Sequence, residues 1–270
     1  MFETTFSLEN FTQAGISTPI RVLSKTDAAI LRDRVQAARK TGDRAESCLR
    51  KNTHLAFPFL FDLAMSQPVL DAVEQVIGPD ILVWSSGFFI KDAGDGAFVS
   101  WHQDSTYWGL EPPDIVTAWI ALTPSTVQSG CLKVVPGSHL MEQLPHADTF
   151  GDGNLLSRGQ EVAIDVSQMQ TAAVELQPGE MSLHHVMLVH GSDANRSDWP
   201  RLGYAIRFIP THVRQLGGRT FAVLARGKDR YGHFDLVGKP DSEMSPKALA
   251  LADEADLRIA QIVMPLVGDT

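Results

Sequence analysis

The sequence predicts a mainly-β fold, a double-sheet jelly roll with flanking helices, and three observations predict it. From residue 80 the texture changes to short runs rich in β-branched and aromatic residues. Turn signals separate those runs at Gly94-Asp95-Gly96, Pro112-Pro113-Asp114, Gln128-Ser129-Gly130, Pro136-Gly137 and Pro178-Gly179. The runs also succeed one another without the intervening helical stretches that a βαβ fold needs. A length of 270 residues would allow two domains on a prior of ~150 residues each, but all-β folds often reach this size as one. No internal repeat, low-complexity tract or Gly/Ser linker is present. One domain over 1–270 is expected, with its β core at about 80–210.

The N-terminal quarter reads as helical. Ser24 and Asp27 form a variant capping box, Ile30, Leu31, Val35 and Ala38 follow at helical spacing, and Gly42 ends the run. Residues 43–57 mix polar and apolar positions with little periodicity and read as a covering loop. A second helix is expected from Pro68, suited to a first helical position, through Val69, Leu70, Val73 and Val76 to Gly78. The expected strands are 81–91, 97–104, 115–122, 131–135, 161–165, 172–177, 181–190 and 201–209. Residues 140–160 form the longest stretch without strand character and read as a loop of the kind that serves as a lid. A last helix is expected over Lys247–Val263.

Composition limits the function classes. Hydrophobic residues make up 44% and charged residues 20%, ordinary for a folded chain and wrong for a disordered one. The net charge of −9 argues against nucleic acid as the main partner, since duplex binding draws on a basic face. Two cysteines, Cys48 and Cys131, lie 83 residues apart, which supports neither a disulfide framework nor a zinc ribbon. The acidic start MFETTFSLENF does not read as a signal peptide, and no run of 18 apolar residues suggests a membrane span. A cytoplasmic location is the expectation.

Three places carry chemistry. In Trp101-His102-Gln103-Asp104, strand alternation would point His102 and Asp104 to one face. His190 follows 88 residues later, at the end of an expected strand. Two imidazoles and a carboxylate on one face make a facial triad that leaves positions open on a non-haem iron. An H-x-D alone turns up by chance on many surface strands, so the third place matters. After His190-Gly191-Ser192-Asp193-Ala194-Asn195, a strand resumes with Arg201, Gly203, Ala205 and Arg207 on one face. Small residues with arginines make a poor core and a good pocket wall. Arg201 offers a planar fork for a carboxylate, and Ser192, on the parity of His190, offers a hydroxyl beside it.

This combination resembles the phytanoyl-CoA dioxygenase family of iron(II)/2-oxoglutarate oxygenases. By that resemblance His102, Asp104 and His190 match the iron ligands, and are the expected catalytic centre. Arg201, eleven residues after His190, matches the arginine on the distal carboxylate of 2-oxoglutarate, and Ser192 the hydroxyl beside it. Thr117-Ala118-Trp119-Ile120-Ala121-Leu122, Ser129-Gly130-Cys131-Leu132 and Val135-Pro136-Gly137-Ser138-His139 also resemble the family's middle, with Trp119 flanking the cosubstrate. In some relatives an Asn stands thirteen residues before the first ligand, where this chain has Phe89. Halogenases of the superfamily carry Gly or Ala where Asp104 stands, so a carboxylate here favours hydroxylation over chlorination.

The resemblance implies a cupin-like double-stranded β-helix and a hydroxylase using Fe(II), 2-oxoglutarate and O₂, which releases succinate and CO₂. A small polar metabolite is the expected substrate, with 2-aminoethylphosphonate one candidate. Alternatives are an oxygenase acting on a protein or other macromolecule, or a metal-binding jelly roll without turnover. Tyr107 and Trp108, shortly after Asp104, are candidates to line the substrate side, with core packing as the plain alternative. Arg158, on the expected lid, is either a contact for an anionic substrate or a solvated arginine. His184 would share the ligand face and His185 point away. Packing suits Trp101, and a bond to turn backbone suits His139.

Overall fold

A computed structural model describes residues 6–156 and 158–263. In chain order the helices are α1 (Leu8–Ala14), α2 (Lys25–Arg39), α3 (Asp43–Arg50), α4 (Thr53–Ala56), α5 (Pro58–Ala64), α6 (Gln67–Ile77), α7 (Ser105–Trp108) and α8 (Pro246–Val263). The strands are β1 (Ile16–Arg21), β2 (Ile81–Lys91), β3 (Val99–His102), β4 (Leu110–Glu111), β5 (Val116–Ala121), β6 (Leu132–Val134), β7 (His146–Asp148), β8 (Gln160–Val162), β9 (Ala172–Val174), β10 (Glu180–His185), β11 (His190–Ser192), β12 (Arg201–Pro210), β13 (Arg214–Gln215), β14 (Phe221–Arg226) and β15 (Asp235–Leu236). A seven-stranded sheet has the order β1-β10-β5-β12-β2-β14-β15, and a four-stranded sheet the order β3-β11-β6-β9. This is the expected mainly-β jelly roll with helices added.

By contacts the chain forms two compact units. One holds the residues up to Asp33, Phe89–Thr106 and Trp119–Tyr204; the other holds Arg34–Phe88, Tyr107–Ala118 and the residues from Ala205 on. Strands β2, β5 and β12 each begin in one unit and end in the other.

The first unit contains the whole four-stranded sheet. Its core draws on Met181 and Leu183 of β10, Trp119 and Ile120 of β5, and Leu202 and Tyr204 of β12, all buried. A satellite cluster of Val135, Val162, Val166 and Val189 packs against Trp101, the packing role expected of that tryptophan. The N-terminal quarter departs from the helical expectation, because Ile16–Arg21 pairs antiparallel with β10. Its register shifts between Ser17 and Ile20, and as the edge of the sheet it tolerates Pro19, which has no N–H to give. The expected strand 181–190 is two strands in different sheets. After His185 the chain turns, with Leu188 N–H donating to the His185 carbonyl at 3.0 Å, and re-enters as β11.

Residues 140–160 are also more ordered in pattern than expected. Ser138–Leu140 makes one 3₁₀ turn, and His146–Asp148 then pairs antiparallel with Gln160–Val162.

In the second unit, 43–57 is not a loop but α3 and α4. The buried residues of α3, Ala45, Cys48 and Leu49, lie at helical spacing over little more than two turns. All four residues of α4 are buried, so it has no polar face to betray it in sequence. Pro68 falls in the first turn of α6 and Gly78 caps it, as expected. The Ser24–Asp27 cap at the start of α2 is also present, with the Asp27 N–H donating to Ser24 Oγ at 3.0 Å. No helix among the described residues is long and apolar enough to cross a membrane.

Candidate metal centre and anion pocket

Strand pairing brings His102 and His190 together. They are direct antiparallel partners on β3 and β11, which closes the 88-residue gap between them. Their ring centroids lie 4.1 Å apart. Each imidazole is fixed by backbone: His102 Nδ1 donates to the Ser100 carbonyl at 2.9 Å and His190 Nδ1 to the Leu188 carbonyl at 2.8 Å. A carbonyl can only accept, so Nδ1 carries a proton in both rings, and the tautomer this selects is the one whose Nε2 faces a metal.

Asp104 supplies the third group. Its Oδ1 lies 3.2 Å from His102 Nε2 and 3.9 Å from His190 Nε2. One ligand atom from each of the three residues falls within 4.8 Å of the other two. Strand alternation is not what aims Asp104, since β3 ends at His102. A turn does, anchored by the Asp104 N–H donating to the Val186 carbonyl at 3.1 Å. Gln103 between them is wholly buried; it donates to the Met187 carbonyl at 2.9 Å and accepts from the Leu144 N–H at 2.8 Å. His146 accepts the Gln103 N–H at 2.9 Å. Both residues hold the ligand turn against the 143–146 segment, and neither was marked by the sequence.

Arg201 is the second feature of this unit. Its side chain is 2% exposed, and its charge meets no carboxylate among the described residues. One terminal nitrogen donates to the Gly130 carbonyl, while Nε is buried without a hydrogen-bond partner. Burial pushes the guanidinium down to about 10, so it stays charged at neutral pH. A buried, unpaired cation costs several kcal/mol (~3–5) unless an anion arrives. Trp119 stands over it, the guanidinium carbon 5.3 Å from the ring centre. The indole fits because position 203 has no side chain: a Cβ on Gly203 would come within 1.8 Å of the ring. Ser192 is buried on β11, and its Oγ accepts from Lys91 Nζ at 2.7 Å.

The remaining candidates fall elsewhere. Arg158 is not a solvated arginine. It is 4% exposed and ion-paired with Asp148, its Nε 3.1 Å from the carboxylate. Asp148 ends β7 and Arg158 lies two residues before β8, so the pairing of the two strands brings the charges together. Tyr107 and Trp108 lie in the second unit, where Tyr107 is buried and Trp108 packs on Trp84 at 5.2 Å between ring centres. Phe89 is half-buried on β2. His184 lies on the ligand side, its ring 5.1 Å from that of His190, and His185 turns away to Phe11 at 6.3 Å, as parity required. His139 donates to the carbonyl of Thr12 at 3.2 Å rather than to its own turn.

The family model described as phytanoyl-CoA dioxygenase matches residues 13–203, well over half of the chain. The chain belongs to the phytanoyl-CoA dioxygenase family. Among curated relatives in this family, a probable phytanoyl-CoA dioxygenase of Caenorhabditis elegans is 30% identical over 148 residues, covering 52% of this chain and 47% of the relative. A probable alpha-ketoglutarate-dependent hypophosphite dioxygenase of Stutzerimonas stutzeri is 29% identical over 178 residues, covering 63% and 61%. The chain thus spans about half to three-fifths of the length of these relatives. A solved structure described as the apo form of the non-heme monooxygenase ThoJ superposes with a TM-score of 0.86 at 30% identity, covering 96% of this chain and 98% of that one. For a phytanoyl-CoA dioxygenase family chain, the fit to iron is good on its own chemistry: two imidazoles held by backbone through Nδ1 and one carboxylate, converging.

Proposed function

We propose that this chain, acting as one domain, is an Fe(II)- and 2-oxoglutarate-dependent dioxygenase that hydroxylates a small-molecule metabolite. The observation that carries the reading is a buried Arg201 without an acid partner in the same compact unit as the His102-Asp104-His190 cluster. An enzyme that holds a metal and a dicarboxylate needs both features, and a metal-binding protein without turnover needs only the His102-Asp104-His190 cluster.

His102 Nε2, Asp104 and His190 Nε2 would hold the iron. When bound, iron with 2-oxoglutarate supplies the oxidation of a substrate C–H bond by O₂, the cosubstrate leaving as succinate and CO₂. Arg201 and Ser192 bind the distal carboxylate, and Trp119 forms the adjoining wall. The backbone carbonyls of Ser100 and Leu188 keep both imidazoles in the ligating tautomer. Three protein ligands leave room for a chelating cosubstrate and for O₂.

The name of the Stutzerimonas relative, with hypophosphite as its substrate, supports a small and polar molecule. Candidates of that kind, 2-aminoethylphosphonate first, are each combined with the protein, Fe(II) and 2-oxoglutarate, and succinate release is read. Substrate-triggered succinate is expected from the wild type and none from His102→Ala or Asp104→Ala. Normal turnover in both variants would overturn the assignment.

A further inference from the structure

A second buried cation lies near enough to Arg201 to feel its charge. Lys91, the last residue of β2, is wholly buried, yet no carboxylate among the described residues bonds to it. Its Nζ donates to Ser192 Oγ at 2.7 Å, to the Asp193 carbonyl, and more weakly to the Ser192 carbonyl at 3.4 Å. Asn195 fixes this end of β2 to the following loop, donating from Nδ2 to the carbonyls of Lys91 at 3.1 Å and Trp199 at 2.8 Å. The ammonium is therefore aimed at one hydroxyl by a rigid frame.

Resting on the cosubstrate reading above, we propose that Lys91 is a positioning residue for the anion-binding hydroxyl. Its ammonium occupies a lone pair of Ser192 Oγ, so the Ser192 O–H turns outward to the carboxylate that Arg201 binds. A hydroxyl has one proton and two lone pairs, so filling an acceptor site with a cationic donor leaves the O–H free to donate. A neutral amine reverses the roles, because it can accept the Ser192 proton and turn the hydroxyl inward.

The surroundings make that charge depend on the anion. Burial, and then the charge of Arg201, push Lys91 down to about 6. Asp193, then Cys131, then Asp95 oppose this only from a distance. The Asp193 carboxylate is engaged by Lys133, and Asp95 accepts the Ala97 N–H at 3.0 Å. At neutral pH, about one Lys91 in ten is then charged before the anion arrives. A carboxylate beside Arg201 offsets its repulsion, so binding takes up a proton. Affinity for 2-oxoglutarate should therefore fall as pH rises above about 6.

The test is anaerobic calorimetry of 2-oxoglutarate binding to the Fe(II)-loaded protein, in buffers of different ionisation enthalpy near neutral pH. Wild type is expected to take up a measurable fraction of a proton per ligand, and Lys91→Met none. Lys91→Met should weaken binding roughly ten- to a hundredfold in the wild-type background, and less than about twofold in Ser192→Ala. Lys91→Gln, which still donates to the carbonyls but cannot titrate, guards against misfolding of the methionine variant and should also lose proton uptake. Binding by wild type without proton uptake overturns the inference. So does an equal effect of Lys91→Met with and without the Ser192 hydroxyl. No 2-oxoglutarate binding by wild type at all would instead overturn the cosubstrate reading, and this inference with it.

Discussion

Replacing Gly203 by alanine tests whether a missing side chain sets the wall of the anion pocket. The Cβ would stand 1.8 Å from Trp119 Cζ2, 2.2 Å from Cε2 and 2.5 Å from Cη2. Carbon atoms rest about 3.5–4.0 Å apart, so the indole or the strand must shift by about 1.5–2 Å. Neither can drift freely. Trp119 is buried, and Leu202 and Tyr204, on either side of Gly203, are wholly buried in an interior that is already close-packed. The backbone at Gly203 is not in the left-handed region, so the effect is steric and not conformational. Overpacking of this kind costs about 1–3 kcal/mol, which for a chain of this size lowers Tm by roughly 2–12 °C.

The same clash bears on binding, because the displaced indole is the one that stands over Arg201. Misplacing a positioned group by about 1 Å weakens 2-oxoglutarate binding on the order of ten- to a hundredfold. Thermal unfolding and a 2-oxoglutarate titration of Fe(II)-loaded protein measure both effects. Trp119→Phe, which removes the part of the indole that clashes, should restore much of the Tm of Gly203→Ala. An alanine variant with the wild-type Tm and unchanged affinity would refute the reasoning.

Two further outcomes follow from buried groups outside the pocket. His54 is wholly buried with Nδ1 2.7 Å from Ser86 Oγ, and burial pushes its imidazole down to about 3. The unfolded chain binds that proton near 6.5, so this share of stability is complete above pH 6.5 and is lost as pH falls toward 3. Denaturant unfolding at about pH 7 and about pH 5 should show wild type losing about 2 kcal/mol more than His54→Gln, and equal losses would count against it. Cys48 and Cys131 are both buried, and burial raises both thiols. At neutral pH the native protein should leave a thiol reagent unreacted and yield both thiols in guanidinium; rapid native reaction would show the burial to be wrong.

What the sequence made legible was local chemistry. His102, Asp104, His190 and Arg201 are readable because ligand type is a property of the side chain, and their spacing falls at turns and strand ends. The Ser24–Asp27 cap and Pro68 are readable for the same reason. Features fixed by distant partners were not. Ile16–Arg21 is a strand only because β10, more than 150 residues away, pairs with it. Arg158 looked solvated because Asp148, its counter-charge, arrives through hairpin pairing. Lys91 carried a weak signal, a lysine closing the apolar run Gly87-Phe88-Phe89-Ile90, but its target Ser192 lies 101 residues on.

The net charge of −9 bears on partners met at long range and is silent about the pocket, where the sign is reversed. Arg201 and Lys91 are both buried without a bonded carboxylate among the described residues, burial disfavours the charge of each, and Arg201 further disfavours that of Lys91. Two such cations would destabilise a pocket that stayed without an anion, and swapping them for apolar residues of similar size would be neutral or favourable to folding. Their retention makes sense if the complex, and not the free chain, is the state in which their charges are met. A monoanionic carboxylate end satisfies Arg201, and the proton that Lys91 then holds aims Ser192. On this reasoning Lys91→Met should leave Tm unchanged or raise it while weakening 2-oxoglutarate binding, an opposition of stability and affinity that a purely structural lysine would not produce.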